Sequence, residues 1–314
     1  MVFLLFIFIV GLNSGLIYSY NLSAYYETYD ASVYDYPFVA LVITAKGLGC
    51  TAVIITRFWL ISSASCIGSV KYAKRIRIIA GVDNLDSSPA MINDSLHRNV
   101  IQARKGMKAF NHPHYKDGKL MQHDISLIRI ARSFKTTKTV KPLGLKPEFW
   151  PPEELKVCVV VGWLVKIGTK NFKRRLQYFY AYAKFGHYSC PCINEGRNIR
   201  SICLERDGGG LCPGDAGAAL VCDGAIVGLS HALIDTKCMF TQAEMFRDCQ
   251  KFGFATAFTD ICYMLPWIDS LDKISGILPQ QCVLTPFYMG ETTKIFVILV
   301  IVFLFSVSYA YSAM

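Results

Sequence analysis

The feature that most constrains what this chain can fold into is a succession of short apolar runs, each too short for a helix. The runs are Val39–Ile43, Ala52–Ile55, Ile76–Ala80, Ile125–Ile130, Val157–Val161, Leu176–Ala183, Ala219–Val221 and Ala225–Leu229. Many of their residues are β-branched or aromatic, types that pack well on a pleated surface, and Gly, Pro, Asn and Asp separate them. This density of strands predicts an all-β sandwich or barrel. One helix is expected near the end. Ile261, Met264, Leu265, Ile268 and Leu271 share one helical face, with Asp260 as the N-cap. The segment Lys135–Pro152, rich in Lys, Thr and Pro, is expected to cross between two halves.

The 314 residues suffice for a full core, and 53% hydrophobic content excludes disorder as the main state. Long uncharged apolar runs occur only at the two ends, which argues against a polytopic membrane protein. Residues 1–19 read as a signal peptide with cleavage after Ser19, an uncleaved anchor being the alternative. Residues 295–314 are expected to be either a transmembrane anchor or the tail removed when a glycolipid anchor is attached. Residues 273–294 would be a tether. Both ends imply the secretory pathway, and a location that is secreted or on the extracellular face of the plasma membrane. The 12 Cys therefore read as disulfides, not zinc ligands or redox thiols. Asn21-Leu-Ser and Asn93-Asp-Ser match the glycosylation acceptor pattern.

Three stretches carry chemistry. The first is Gly49-Cys50-Thr-Ala-Val-Ile-Ile with Trp59-Leu-Ile-Ser-Ser-Ala-Ser65-Cys66. The second is His123-Asp124-Ile-Ser-Leu-Ile. The third is Cys212-Pro-Gly-Asp-Ala216-Gly-Ala-Ala-Leu-Val-Cys222. In order and spacing they resemble the chymotrypsin/trypsin-like serine proteases, with support from Tyr36-Pro-Phe, Cys158-Val-Val-Val-Gly-Trp163 and Trp267-Ile268. The resemblance covers residues 25–272. It implies two six-stranded antiparallel Greek-key β-barrels and a C-terminal helix, with any site in the cleft between barrels.

The triad-equivalent positions are Ser65, Asp124 and Ala216, so that Ser replaces the family's His and Ala its Ser. A triad needs an attacking oxygen and an imidazole that takes and returns its proton. The methyl group of Ala216 cannot attack a carbonyl, and Asp124 is left with nothing to orient. The oxyanion-equivalent amides are those of Gly214 and Ala216. The activation start maps to Tyr25, after Ala24, without the family's tryptic cut. Asp215 then lacks its partner amine, and the loops around it are expected to be zymogen-like, without an oxyanion hole. The specificity-pocket base maps to Gly210. The six His are 97, 112, 114, 123, 187 and 231, and each is expected to sit at the surface or in packing. No metal site and no cofactor are expected.

The resemblance also implies disulfides Cys50–Cys66 and Cys158–Cys222, Cys203 with Cys190 or Cys192, and Cys212 with Cys238, or else with Cys249. Positive charge gathers in Lys71–Arg77, Arg104–Lys108, Lys135–Lys141 and Lys170–Arg175, within a net charge of +10. In a secreted chain this excludes nucleic acid as the expected partner and points to a polyanion or a solvated face. The resulting expectation is a non-enzyme, a pseudo-protease acting as a binding or regulatory module. Its partners would be a protease, an inhibitor or a surface receptor, and the membrane through the C-terminal segment. The alternatives are an active serine-type endopeptidase and a surface recognition or structural protein.

Overall fold

The structure, a computed structural model, describes residues 28–44, 49–84, 100–116, 123–145, 150, 154–165, 174–185, 190, 201–204, 211–212, 215–235 and 254–272. The expected signal peptide, tether and C-terminal apolar segment lie outside these residues. So do Tyr25, Gly210, Gly214, both glycosylation acceptors (Asn21 and Asn93), His97 and His187.

Six strands close the first barrel: β2 (Val39–Ile43), β3 (Gly49–Ile54), β4 (Trp59–Ser62), β5 (Arg77–Ala80), β6 (Gln102–Asn111) and β7 (Ser126–Ile130). Their order is β2-β3-β4-β7-β6-β5, and every pairing is antiparallel. The second half uses β8 (Leu155–Val165), β9 (Arg174–Phe185), β10 (Ser201–Leu204), β11 (Ala219–Cys222), β12 (Ala225–Asp235) and β13 (Phe254–Asp260). The order β9-β10-β13-β12-β11-β8, with β8 paired back to β9, closes it into a second six-stranded antiparallel barrel. The short β1 (Tyr29–Asp30) adds to β9. The all-β, two-barrel architecture agrees with the sequence expectation.

Strand periodicity sorts side chains into three cores. Ala40, Val42, Ala52, Ile54, Leu60, Ile78 and Ile128 fill the first barrel. Their neighbours Leu41, Val53, Ile61, Ile79 and Leu127 point the other way, into a core shared with Val161, Trp163, Ala219 and Leu229 of the second half. Val160, Phe179, Ala181, Ile202, Leu220 and Phe258 fill the second barrel. Many first-barrel strands are thus buried on both faces and read as continuous apolar runs rather than as alternation. The crossing segment joins all three cores. Phe134 and Val140 enter the first, Leu145 the shared one and Trp150 the third.

The helix α1 is a single turn, Ala64–Ile67, followed by a 3₁₀ turn at Val70–Arg75. The C-terminal helix α2 spans Ile261–Asp272. Asp260 caps it, its Oδ1 accepting the Cys262 N–H at 2.9 Å. Ile261, Met264, Leu265 and Ile268 are buried in the shared core. Disulfides join Cys50 to Cys66, Cys158 to Cys222 and Cys190 to Cys203. Cys212 and Cys262 are also disulfide-bonded. Cys192, Cys238 and Cys249 lie outside the described residues.

Candidate active site

The three triad-equivalent positions come from three places that only the fold brings near one another. Ser65 sits on α1, immediately after β4. Asp124 precedes β7, which pairs with β4 through Ser62↔Ser126. Ala216 lies in the turn that leads into β11.

Asp124 is fully buried. Its Oδ1 accepts the Ser65 backbone N–H and its Oδ2 accepts the Ser65 Oγ–H, both at 2.6 Å. From the second barrel, the Thr259 hydroxyl donates to the Asp124 carbonyl at 3.2 Å. This corrects one element of the sequence reading: Asp124 does orient a side chain, the Ser65 hydroxyl that stands where an imidazole was expected. A buried carboxylate needs donors, and hydrogen bonds to a charged group are each worth roughly 1.5–3 kcal/mol.

Thr51, which motif reading passes over, holds the junction together. Its backbone N–H donates to the Ala216 carbonyl at 3.1 Å. Its carbonyl accepts the Ser62 hydroxyl at 2.7 Å, and its Oγ1 accepts the Trp163 N–H at 2.8 Å. Thr51 is buried and so ties β3, β4, β8 and the 215–218 turn into one unit. Such a residue shows itself in sequence only as a polar side chain within an otherwise apolar strand. Gly217 closes the same contact at φ 82°, where an added Cβ would meet the Thr51 carbonyl oxygen at 2.3 Å and Ser62 Oγ at 2.7 Å.

Asp215 is buried, and its Oδ2 accepts the Cys212 N–H at 2.7 Å. The Ser230 hydroxyl donates to the Asp215 carbonyl and accepts the Ala218 N–H, each at 2.9 Å. The turn is thereby pinned to β12. Gly214, the partner of Ala216 in the oxyanion-equivalent pair, lies outside the described residues. His231 is buried on β12, in keeping with packing.

Beside Asp124 the structure assembles what sequence reading treated singly. His112, His114 and His123 each bring a ring nitrogen within 4.8 Å of the others. The rings of His112 and His123 stack at 4.7 Å, and those of Trp267 and Tyr263, on α2, lie 5.0 Å from His112 and 6.1 Å from His123. Burial pushes the His112 imidazole down to about 4, helped by His123 and His114. His123 is lowered too, by burial first and then by His114, against a backbone hydrogen bond to His114 that favours its charged form.

Two antiparallel barrels meeting at an Asp-bearing junction define the chymotrypsin-like class of protein. A family model described as Trypsin matches residues 26–268, and the chain belongs to the trypsin family. Similar proteins include Snake venom serine protease PTLE1 of Gloydius halys, 26% identical over 65% of this chain and 74% of that one. Snake venom serine protease HS112 of Bothrops jararaca is 25% identical over 81% and 88%. Thrombin-like enzyme leucurobin of Bothrops leucurus is 23% identical over 81% and 97%.

These comparisons overturn the expectation of a non-enzyme. The relatives bear the names of serine proteases and, in one case, of a thrombin-like enzyme, so the family evidence points to a protease and not to a pseudo-protease. What stands from the sequence is narrower: the side chain at 216 is a methyl group, and no attacking oxygen comes from it.

Proposed function

We propose that this chain engages a polypeptide in the cleft between its barrels, in the secretory or extracellular space. One observation carries the reading. The buried Asp124 carboxylate holds Ser65 at two points, its backbone N–H and its hydroxyl, at the barrel junction, where the trypsin family does its chemistry on peptides. The venom-protease names of the relatives support a polypeptide as the ligand.

A second reading, serine-type hydrolysis of the bound polypeptide, is favoured by those same names. In it the proton acceptor is Asp124 Oδ2, 2.6 Å from Ser65 Oγ. The Ser65 Oγ would attack the carbonyl carbon and a water would then cleave the resulting ester, or a water in its place would attack directly. The proton would pass to the carboxylate and then to the leaving amine. A general base works best when its pKa lies near the operating pH, which is the usual range of an imidazole and not of a carboxylate. Turnover is therefore expected to be slow beside that of imidazole-bearing proteases.

The test is to incubate the purified full chain with an unstructured peptide library. Mass spectrometry reads new termini, and amide hydrogen exchange reads protection over 50–66 and 215–230. Protection with saturable binding is expected. New termini that disappear in Asp124→Asn would establish hydrolysis by this site. A chain that neither binds nor cuts any peptide ends the proposal.

A further inference from the structure

We propose that His112, His114 and His123 form a binding site for a divalent cation of the zinc class. This departs from the sequence expectation of no metal, and it does not depend on the cleft reading. The three residues flank the root of the β6–β7 hairpin, where Asn111 pairs with Ser126 and the His112 N–H donates to the Ile125 carbonyl at 3.0 Å. A turn closes over His114, the Tyr115 N–H donating to the His112 carbonyl at 2.9 Å. It folds His114 back beside His112.

His123 gives the second, independent observation. Its backbone takes φ 54°, a left-handed conformation uncommon for a residue with a Cβ. Its Nδ1 is buried and has no hydrogen-bond partner. A neutral imidazole offers one nitrogen lone pair to a metal ion, and the His123 Nδ1 has no competing partner for it. A buried polar nitrogen with no partner is otherwise a cost to the fold.

Three imidazoles suit zinc and its neighbours, whereas calcium and magnesium call for oxygen ligands. Zinc–nitrogen bonds of about 2.0–2.1 Å in a tetrahedron place ligand nitrogens about 3.3 Å apart, closer than the 4.8 Å limit found here. His114 is exposed, so it is the ring free to swing inward. The His112 Nδ1 accepts the His114 N–H at 3.2 Å, a weak bond that coordination through Nδ1 would replace. With three protein ligands, a tetrahedral ion would keep a fourth position for water or a ligand atom of a bound partner. Trp267 and Tyr263 wall the other side, so the occupied site would clamp the β6–β7 root against α2.

Zinc titrated into the full chain, stripped with a chelator, gives the test, read by calorimetry and by Trp267 fluorescence. We expect one saturable equivalent, a rise in Tm, and no response to magnesium or calcium. His114→Gln, at an exposed position, should leave the metal-free Tm unchanged and weaken zinc at least tenfold. His112→Gln should do the same to affinity. Failure of zinc to bind saturably, or equal affinity in the wild type and both variants, would overturn the site.

Discussion

The Ser65–Asp124 contact sets two chemical expectations at the scale of single residues. Ser65→Ala removes the Oγ–H but keeps the backbone donor, so Oδ2 of a fully buried carboxylate loses one hydrogen bond. Loss of a hydrogen bond to a charged group is worth roughly 1.5–3 kcal/mol, and urea denaturation should show a destabilisation of that size. An unchanged midpoint would mean that this hydrogen bond adds nothing measurable to stability. The second expectation concerns pH. In chelator-treated protein His112 has its folded pKa lowered to about 4, by burial and by the facing His123 and His114, from the ordinary 6.5. Its neutral form is the one the fold accepts. Its contribution is therefore whole above pH 6.5 and is lost as pH falls from there towards 4. Lys116 acts in the same direction on His123. A Tm–pH profile should slope downward through that window, and His112→Gln should flatten it. Sequence alone located Ser65 and Asp124, because the motifs around them are contiguous. It did not show that they bond each other, nor that three histidines meet, because both facts depend on the register of paired strands.

At the scale of elements, the helix was the most legible part of the chain. Its 3.6-residue apolar spacing matches the buried face of α2, and the Asp260 cap lies where the periodicity starts. Asp260→Ala should cost about 0.5–2 kcal/mol by thermal or urea unfolding, with the loss of the Cys262 N–H acceptor. A smaller effect would show that other acceptors hold the helix start. Strands were found but their ends were not. Val157–Val161 proves to be the centre of an eleven-residue strand, β8, and Leu176–Ala183 the centre of β9. The long hairpin they form carries positions such as the half-buried Lys156 and the exposed Tyr180, which break an apolar pattern without breaking the ladder. The apolar runs do not mark β1, β4, β6, β10 or β13. Trp59–Ser62 sits within a motif, β6 is rich in charged and polar residues, and Phe254–Asp260 has strand-favouring Phe and Thr but no consecutive aliphatic side chains. Tertiary pairing decides those segments.

The junction depends on close approach of the two barrels at the scale of the whole molecule. Gly217→Ala places a Cβ against the Thr51 carbonyl at a conformation of positive φ. Overpacking of this kind costs roughly 1–3 kcal/mol, and the variant should unfold at lower urea while keeping strand-rich circular dichroism. Wild-type stability in that variant would show that the turn has room to move.

The distribution of charge leads to a last expectation. Three of the basic clusters seen as separate in sequence come together on the first barrel. Arg77 pairs with Lys105 and Ile78 with Arg104 across β5 and β6, while Lys71 and Arg75 flank the exposed Tyr72 ring at 5.1 and 5.2 Å. The third cluster joins through Gln102, whose Nε2 donates to the Lys135 carbonyl at 2.6 Å. Among the described residues, no acidic side chain forms an ion pair with Lys71, Lys74, Arg75, Arg77 or Lys105. The fourth cluster is different in kind, since its Arg175 pairs with Asp30 at 3.2 Å on the other half. Like charges directly opposite on adjacent strands repel, so this face lowers its own stability and gains from a polyanion. The full chain should be retained on a sulfated polysaccharide column and released as salt shortens the screening length. Lys74→Ser with Arg75→Ser should elute markedly earlier, and Arg175→Ser should elute near the wild type. A shift for Arg175→Ser about half that of the double variant, one charge removed against two, would mean that net charge alone, and not this face, governs retention.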